Sequence, residues 1–291
     1  MKISPDQLKE RQAWTLEKKI AWALRQIRIW YDYWDGKVYV SFSGGKDSTV
    51  LLHLVRSLYP EVPAVFCNTG LEFPEIMAFV KETPNVTNLR PKMTYRAVLE
   101  KHGYPVVSKE QASYIREARE TKSAKLRDMR INGDRFCISK KWRHLLNAPF
   151  KVGEKCCDVM KKRPAAKFEK ETGLHRYIGT MADDSRLRRQ QYLKYGCNAF
   201  DTKKPVSKPL SIWTEGDIWE HIRGNGIPYC PIYDMGYERT GCIYCGFTVH
   251  METPPNRFVR MKETHPKLWK HCMGTLGMKE VLEYVGVETG A

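Results

Sequence analysis

Trp14, Leu16, Ile20, Ala23, Leu24, Ile27 and Trp30 recur mostly at three- and four-residue spacing, the period of a helix that buries one face. Ser4, Pro5 and Gln7 mark the start, with Ser as N-cap, Pro at the first helical position and Gln closing a capping box. One helix is therefore expected from Pro5 towards Trp34. The apolar pattern then changes. Lys37-Val38-Tyr39-Val40-Ser41-Phe42 reads as a strand and Thr49–Leu58 as the helix after it. Residues 63–68 form a short apolar run bounded by turn residues, as a buried parallel strand does. Helices over 74–81 and 95–102 flank a third strand over 85–89. Strands alternating with helices predict a parallel sheet with helices on its faces.

Residues 116–145 interrupt the alternation with many Arg and Lys and few apolar positions, so a basic helical insertion over about 112–150 is expected. The pattern resumes with a strand at 175–179 and a helix start at Thr214, where Asp217 completes a capping box. From Cys230 the chain is rich in Cys, Pro and Gly and ends in a helix near 279–284. The expected fold class is α/β, a Rossmann-like parallel sheet with helices on both faces. Its segments are an N-terminal helix over 1–36, a nucleotide-binding domain over 37–229 and a Cys-rich segment over 230–291.

Composition narrows the setting. No apolar run approaches the ~18–20 residues of a membrane span, and the charged N-terminus lacks the apolar stretch of a secretory signal. A soluble, cytoplasmic protein without a membrane partner is expected. Forty-nine basic against thirty-three acidic side chains give a net charge of +16, which favours nucleotides and nucleic acids as partners. The nine cysteines of a chain in a reducing compartment point to metal binding or catalysis rather than to disulfides.

The strand ending at Phe42 runs into Ser43-Gly44-Gly45-Lys46-Asp47-Ser48 and then into a helix. Such a turn gathers backbone N–H groups at a helix N-terminus, a site for pyrophosphate. Gly44 and Gly45 allow close approach, Ser41, Ser43 and Ser48 supply polar groups, Lys46 supplies charge, and Asp47 suits a magnesium ion or a neighbouring donor. The spacing is not that of a Walker loop, so chemistry at the α-phosphate is favoured over γ-phosphate hydrolysis. A turn that used its glycines for geometry alone has no need of Ser, Lys and Asp together. Among the cysteines, Cys156-Cys157 and Cys242-Ile243-Tyr244-Cys245 form two pairs that suit one metal centre; the ligand chemistry fits an iron–sulfur cluster or zinc. Cys67, Cys197, Cys230 and Cys272 are expected to be buried small hydrophobes, while Cys137 in the basic insertion is a candidate reactive thiol.

These motifs resemble the phosphoadenosine phosphosulfate (PAPS) reductase family of the adenine nucleotide alpha hydrolase superfamily. The likeness includes Ser43–Ser48, Cys67-Asn68-Thr69-Gly70-Leu71-Glu72-Phe73-Pro74, Lys208–Thr214 and Ile227-Pro228-Tyr229. It implies that Asn68, Thr69, Gly70 and Glu72 contact the nucleotide, as do Gly179, Asp184, Ser185 and Arg188, which keep the family register. In members that reduce adenosine phosphosulfate (APS), a Lys-Cys-Cys run and a later Gly-Cys-x-x-Cys hold a [4Fe-4S] cluster. The resemblance thus assigns Cys156, Cys157, Cys242 and Cys245 as cluster ligands and Lys155 as a catalytic neighbour, beside Lys46 and Asp47.

Two features depart from the reductases. Their C-terminal Glu-Cys-Gly-x-His nucleophile has no counterpart in the final residues of this sequence, and their arginine pair is replaced by Met181 and Ala182. Arg186 and Arg189 either take over the anion or form a solvated basic face. The first expectation is therefore ATP-dependent sulfur transfer to DNA or tRNA, with a cysteine desulfurase or thioredoxin-like protein as donor. Backbone contacts would lie along Arg116–Arg143, among Tyr114, Phe136 and Trp142. The alternatives are a divergent APS or PAPS reductase using Cys137, Cys272 or a partner's thiol, and a nucleotide- or redox-sensing regulator without turnover.

Overall fold

A computed structural model describes residues 3–290. The chain opens with two helices, α1 (Pro5–Gln12) and α2 (Leu16–Tyr33), where the spacing predicts one. The Ser4–Gln7 capping box forms as expected. The break has a local cause: Thr15 is itself an N-cap, its hydroxyl accepting the Lys18 N–H at 3.4 Å, and a second helix starts there.

Next come β1 (Val38–Phe42), α3 (Lys46–Leu58), β2 (Ala64–Cys67), α4 (Pro74–Glu82), β3 (Val86–Leu89) and α5 (Tyr95–His102), close to the predicted bounds. Helix α3 starts three residues earlier than Thr49 because Gly45 serves as its N-cap. Strand β4 (Val106–Val107) leads into the basic insertion, which is helical: α6 (Lys109–Glu120), α7 (Ala124–Asn132) and a 3-10 segment at Lys140–Asn147. Then follow α8 (Arg163–Thr172), β5 (His175–Ile178), α9 (Arg186–Tyr195), β6 (Asn198–Ala199), β7 (Val206–Ser207) and α10 (Glu215–Gly224). The last elements are β8 (Gly246–Phe247), α11 (Arg257–Thr264), α12 (Pro266–Lys270) and α13 (Met278–Tyr284).

The chain packs as two compact units. The first comprises residues up to Asn68, Glu72–Leu89 and Ala165–Thr240; the second comprises Thr69–Leu71, Arg90–Pro164 and residues from Gly241 onward. The first unit holds a six-stranded sheet of order β3-β2-β1-β5-β7-β6, parallel except where β6 runs against β7. Val38, Tyr39, Val40 and Phe42 of β1 are all buried although successive residues face opposite sides, so both faces of the sheet are covered. Strand β1 has β2 on one side and β5 on the other. The chain leaves β1 towards β3 and returns to β5 across the strand it left, which makes the carboxyl ends of β1 and β5 a topological switch point, where open α/β sheets bind ligands.

Ala23, Ile27 and Trp30 form the buried stripe of α2, and the Tyr177 hydroxyl donates to the Ile27 carbonyl at 2.8 Å. Lys19 shares that buried face. Its Nζ lies 2.7 Å from Asp217 Oδ2, and that carboxylate also accepts the Thr214 N–H in the predicted capping box of α10. In the second unit β4 pairs with β8 in parallel, and Ile115, Leu145, Phe258, Met261, Met278 and Leu282 are fully buried. Helix α6 buries Ala112, Tyr114, Ile115 and Ala118, whereas α7 buries none of its side chains. Among the described residues, no helix is long and apolar enough to cross a membrane.

Removing one partner of a buried ion pair leaves the other charge uncompensated, at a cost of about 3–5 kcal/mol. Lys19→Met is therefore expected to lower the unfolding free energy by about 3 kcal/mol in urea titrations. A loss below about 1 kcal/mol would show that Asp217 is satisfied by Thr214 alone.

Candidate functional site

The loop after β1 is shaped by contacts that exclude side chains. Gly44 adopts φ +70°, and a Cβ at Gly45 would lie 2.3 Å from Thr240 Oγ1. The hydroxyls close the loop on itself. Ser43 N–H donates to Ser48 Oγ at 3.1 Å, Gly45 N–H to Ser43 Oγ at 3.3 Å, and Ser48 Oγ to the Gly45 carbonyl at 2.9 Å. Gly45 brings no side chain to cap α3, and the first amide of the helix, Lys46 N–H, is taken by the Tyr233 hydroxyl at 2.8 Å; a helix N-terminus of this kind can receive an anion at its remaining amides. Ser41 is half-buried inside β1, in register with Val65 and Ile178.

Lys46 is buried, with Nζ 3.2 Å from Glu215 Oε1, 3.5 Å from Asp47 Oδ1 and 5.6 Å from the centre of the Tyr233 ring. Burial works against its charge, but Asp47, Tyr233 and Glu215 together outweigh it, so its pKa lies above the ordinary lysine value. Burial raises the pKa of Asp47, Asp184 adds to the rise, and Lys46 opposes it. Asp47 Oδ1 is buried, and its 3.5 Å ion pair with Lys46 Nζ is long, outside hydrogen-bond geometry. A buried carboxylate whose hydrogen-bonding capacity is incompletely used, beside such a loop, fits magnesium, which binds one or two carboxylates together with substrate phosphates.

Gly179, just beyond β5, closes the floor of the switch point. A Cβ there would lie 2.7 Å from the Asp47 carbonyl oxygen and 3.1 Å from Ser48 N. Asp184 accepts the Met181 N–H at 2.8 Å and pairs with Arg188, while Ser185 caps α9. Met181 and Ala182 are buried, and Arg186 and Arg189 are exposed. Asn68 N–H extends the β2–β3 ladder by donating to the Leu89 carbonyl at 2.8 Å, and Glu72 is half-buried. In the second unit, Thr69 Oγ1 accepts the Leu71 N–H at 3.3 Å, and Gly70 turns the chain at φ +74°.

Cys156, Cys157, Cys242 and Cys245 line one small cavity in the second unit, together with Leu71, Tyr95, Met160 and Lys161. Cys156 and Cys157 open a helical stretch that leads into α8. The other pair lies on a tight turn, with Cys245 N–H donating to the Cys242 carbonyl at 3.0 Å, immediately before β8. The hydrogen bond from Cys156 draws the Cys157 thiol down against burial, with help from Lys109 and Lys161. Burial, with Cys242 adding to it, pushes the Cys245 thiol up to about 11. The Tyr95 hydroxyl donates to the Tyr244 carbonyl at 3.2 Å and is held protonated by burial and by the neighbouring thiols. Among the described residues, no three metal-ligating side chains converge on one point; the four thiols surround a space instead. Four thiols lining one cavity have the ligand chemistry of zinc or of an iron–sulfur cluster.

Lys155 Nζ lies 3.1 Å from Glu154 Oε1, and Glu154 is itself gripped by Arg116 through two 3.0 Å hydrogen bonds. Cys197, Cys230 and Cys272 are buried as expected, but Cys67 is only half-buried; Cys137, the candidate reactive thiol, is half-buried too. Sequence reasoning missed Tyr233, whose hydroxyl accepts the Lys46 N–H at 2.8 Å, and Glu215 as an ion-pair partner of Lys46. Glu215 was visible only as a residue of the first turn of α10. Tyr233 closely follows the Ile227-Pro228-Tyr229 run, with no local signal of its own. A groove of about 880 Å³ between α3 and α4, lined by Phe42, Leu52 and Phe79, contains none of the predicted site residues.

Residues 37–135 and 130–248 match the family model for the phosphoadenosine phosphosulfate reductase domain. An uncharacterised protein of Methanocaldococcus jannaschii is 27% identical over 277 residues, covering 90% of this chain and 53% of its own length. The chain thus spans about half of that relative. A phosphoadenosine 5′-phosphosulfate reductase of Cronobacter sakazakii is 25% identical, with 79% and 76% of the two chains covered. An adenosine 5′-phosphosulfate reductase of Geobacillus is 28% identical, with 78% and 77% covered.

Gly179→Ala forces a methyl group into the Asp47–Ser48 backbone. It is expected to weaken ATP binding at least about tenfold, equivalent to about 1.4 kcal/mol, in calorimetric titration, with the far-ultraviolet circular dichroism unchanged. Unaltered affinity would mean that the loop does not depend on this contact.

Proposed function

Because the chain belongs to the phosphoadenosine phosphosulfate reductase domain family, we propose that it is an ATP-dependent sulfur-transfer enzyme acting on a nucleic acid, with a [4Fe-4S] cluster held by Cys156, Cys157, Cys242 and Cys245. The observation that carries this reading is the gathering of those four thiols, from two distant stretches of sequence, around one cavity. Bound there, the cluster would supply a site for sulfide. The nucleotide belongs on the Ser43–Ser48 loop, where Lys46 stays charged.

In the proposed first step an acceptor oxygen attacks the α-phosphorus of ATP. The bond from that phosphorus to the bridging oxygen breaks, and pyrophosphate leaves with the bonding electrons. Lys46 and the remaining amides at the start of α3 stabilise the charge that grows on the leaving group, and the donors are fixed before the reaction begins. Asp47 would hold magnesium against the phosphates. A sulfur nucleophile then displaces AMP from the activated atom.

A divergent sulfonucleotide reductase is the second reading, supported by the names of two relatives. Two observations weigh against it. Met181 and Ala182, which replace the reductases' arginine pair, are buried and uncharged. Cys272 is fully buried and its thiol is pushed far up by burial, which leaves little nucleophilic thiolate.

The expected outcome is pyrophosphate release from ATP that depends on added nucleic acid and falls at least about a hundredfold in Lys46→Ala. Sulfite release from adenosine phosphosulfate with thioredoxin, without pyrophosphate release from ATP, would replace this reading with the second.

A further inference from the structure

We propose that the loop carrying Phe136 is a stacking platform for an unpaired base, so that the nucleic acid this chain binds is single-stranded at the point of contact. The inference rests on the nucleic-acid reading above and specifies the form of the partner. Residues 116–143 hold ten basic and four acidic side chains. Three aromatic residues are interspersed along this stretch or border it, and the structure separates their roles. Tyr114 is buried under the Arg130 guanidinium, 4.3 Å from its ring centre, and Trp142 is buried against His250, with 4.9 Å between ring centres. Phe136 is 68% exposed, and among the described residues no ring or cation packs on it.

The ring is not left out for want of structure around it. Phe136 adopts φ +56°, a conformation that non-glycine residues seldom take without support. Its carbonyl is held by the Arg130 guanidinium, which is itself anchored 2.7 Å from Glu117 Oε2. Ile138 N–H donates to the Arg130 carbonyl at 2.7 Å, and the Gln111 side chain bonds both the Cys137 carbonyl at 3.2 Å and the Ser139 N–H at 2.8 Å. Every polar anchor thus fixes the backbone on either side of an apolar ring that faces water.

The surrounding charge selects the partner. Arg135 and Lys140, one and four residues from Phe136 in the chain, are exposed and form no ion pair among the described residues, and the preceding helix α7 buries no side chain. Free cations around a preset aromatic face suit a phosphate backbone whose bases are unstacked, since every base offers a π-face to such a ring. A paired helix keeps its bases stacked on one another and would meet only the cations.

The test is fluorescence anisotropy with the full chain and fluorescein-labelled oligouridine and oligothymidine of about 12 nucleotides, against a hairpin duplex of similar length. Phe136→Ala is expected to weaken binding of the single strands about fivefold or more and to leave duplex binding unchanged, while Phe136→Trp retains affinity. Arg135→Gln is expected to weaken both forms and to reduce the salt slope by about one. Equal single-strand affinity for wild type and Phe136→Ala would overturn the proposal. So would a wild-type protein that binds neither form, even where ATP-dependent pyrophosphate release with another acceptor keeps the enzymatic reading intact.

Discussion

The backbone of Gly179 pressed against the Asp47–Ser48 peptide is the contact on which the geometry of the candidate nucleotide site depends. It fixes the exit of β5 against the start of α3, and the sheet order places that junction at the point where the chain reverses direction. Beside that contact lies the buried Lys46. A lysine amine seldom stays buried and charged unless several acceptors surround it. Asp47 and Glu215 supply carboxylates and Tyr233 the face of its ring, from three separate stretches of sequence.

The thiol cavity follows another logic. Its cysteines come in two short-range pairs, one opening a helical stretch and one closing a tight turn, so each pair is organised by local structure. The cavity wall is apolar apart from Lys161 and the Tyr95 hydroxyl, and burial of this kind governs solvent access and the potential of a bound metal centre. Cations near Cys157 favour thiolate over thiol, the form that binds iron or zinc.

Features written in local sequence were legible. The two capping boxes, the strand into the phosphate loop and the bounds of α5 all follow from side chains within a few positions of one another. The N-cap at Thr15 was equally local, but apolar spacing that ran on either side of it masked the break. Long-range partners were not legible. Tyr233 and Glu215 reach Lys46 only through the fold, and Arg116 reaches across 38 residues to the carboxylate that pairs with Lys155. The basic insertion also carried more meaning in three dimensions than in one, because composition placed Tyr114, Phe136 and Trp142 on equal terms and burial left only Phe136 facing solvent.

Joining a nucleotide loop to four gathered thiols makes sulfur chemistry the central claim, and Mössbauer spectroscopy of chain reconstituted anaerobically with labelled iron tests it most directly. The account predicts about four iron and four sulfide per chain in a [4Fe-4S] spectrum, lost when Cys156 or Cys245 is changed to serine. A colourless protein holding one zinc in the same four-cysteine cavity would contradict it.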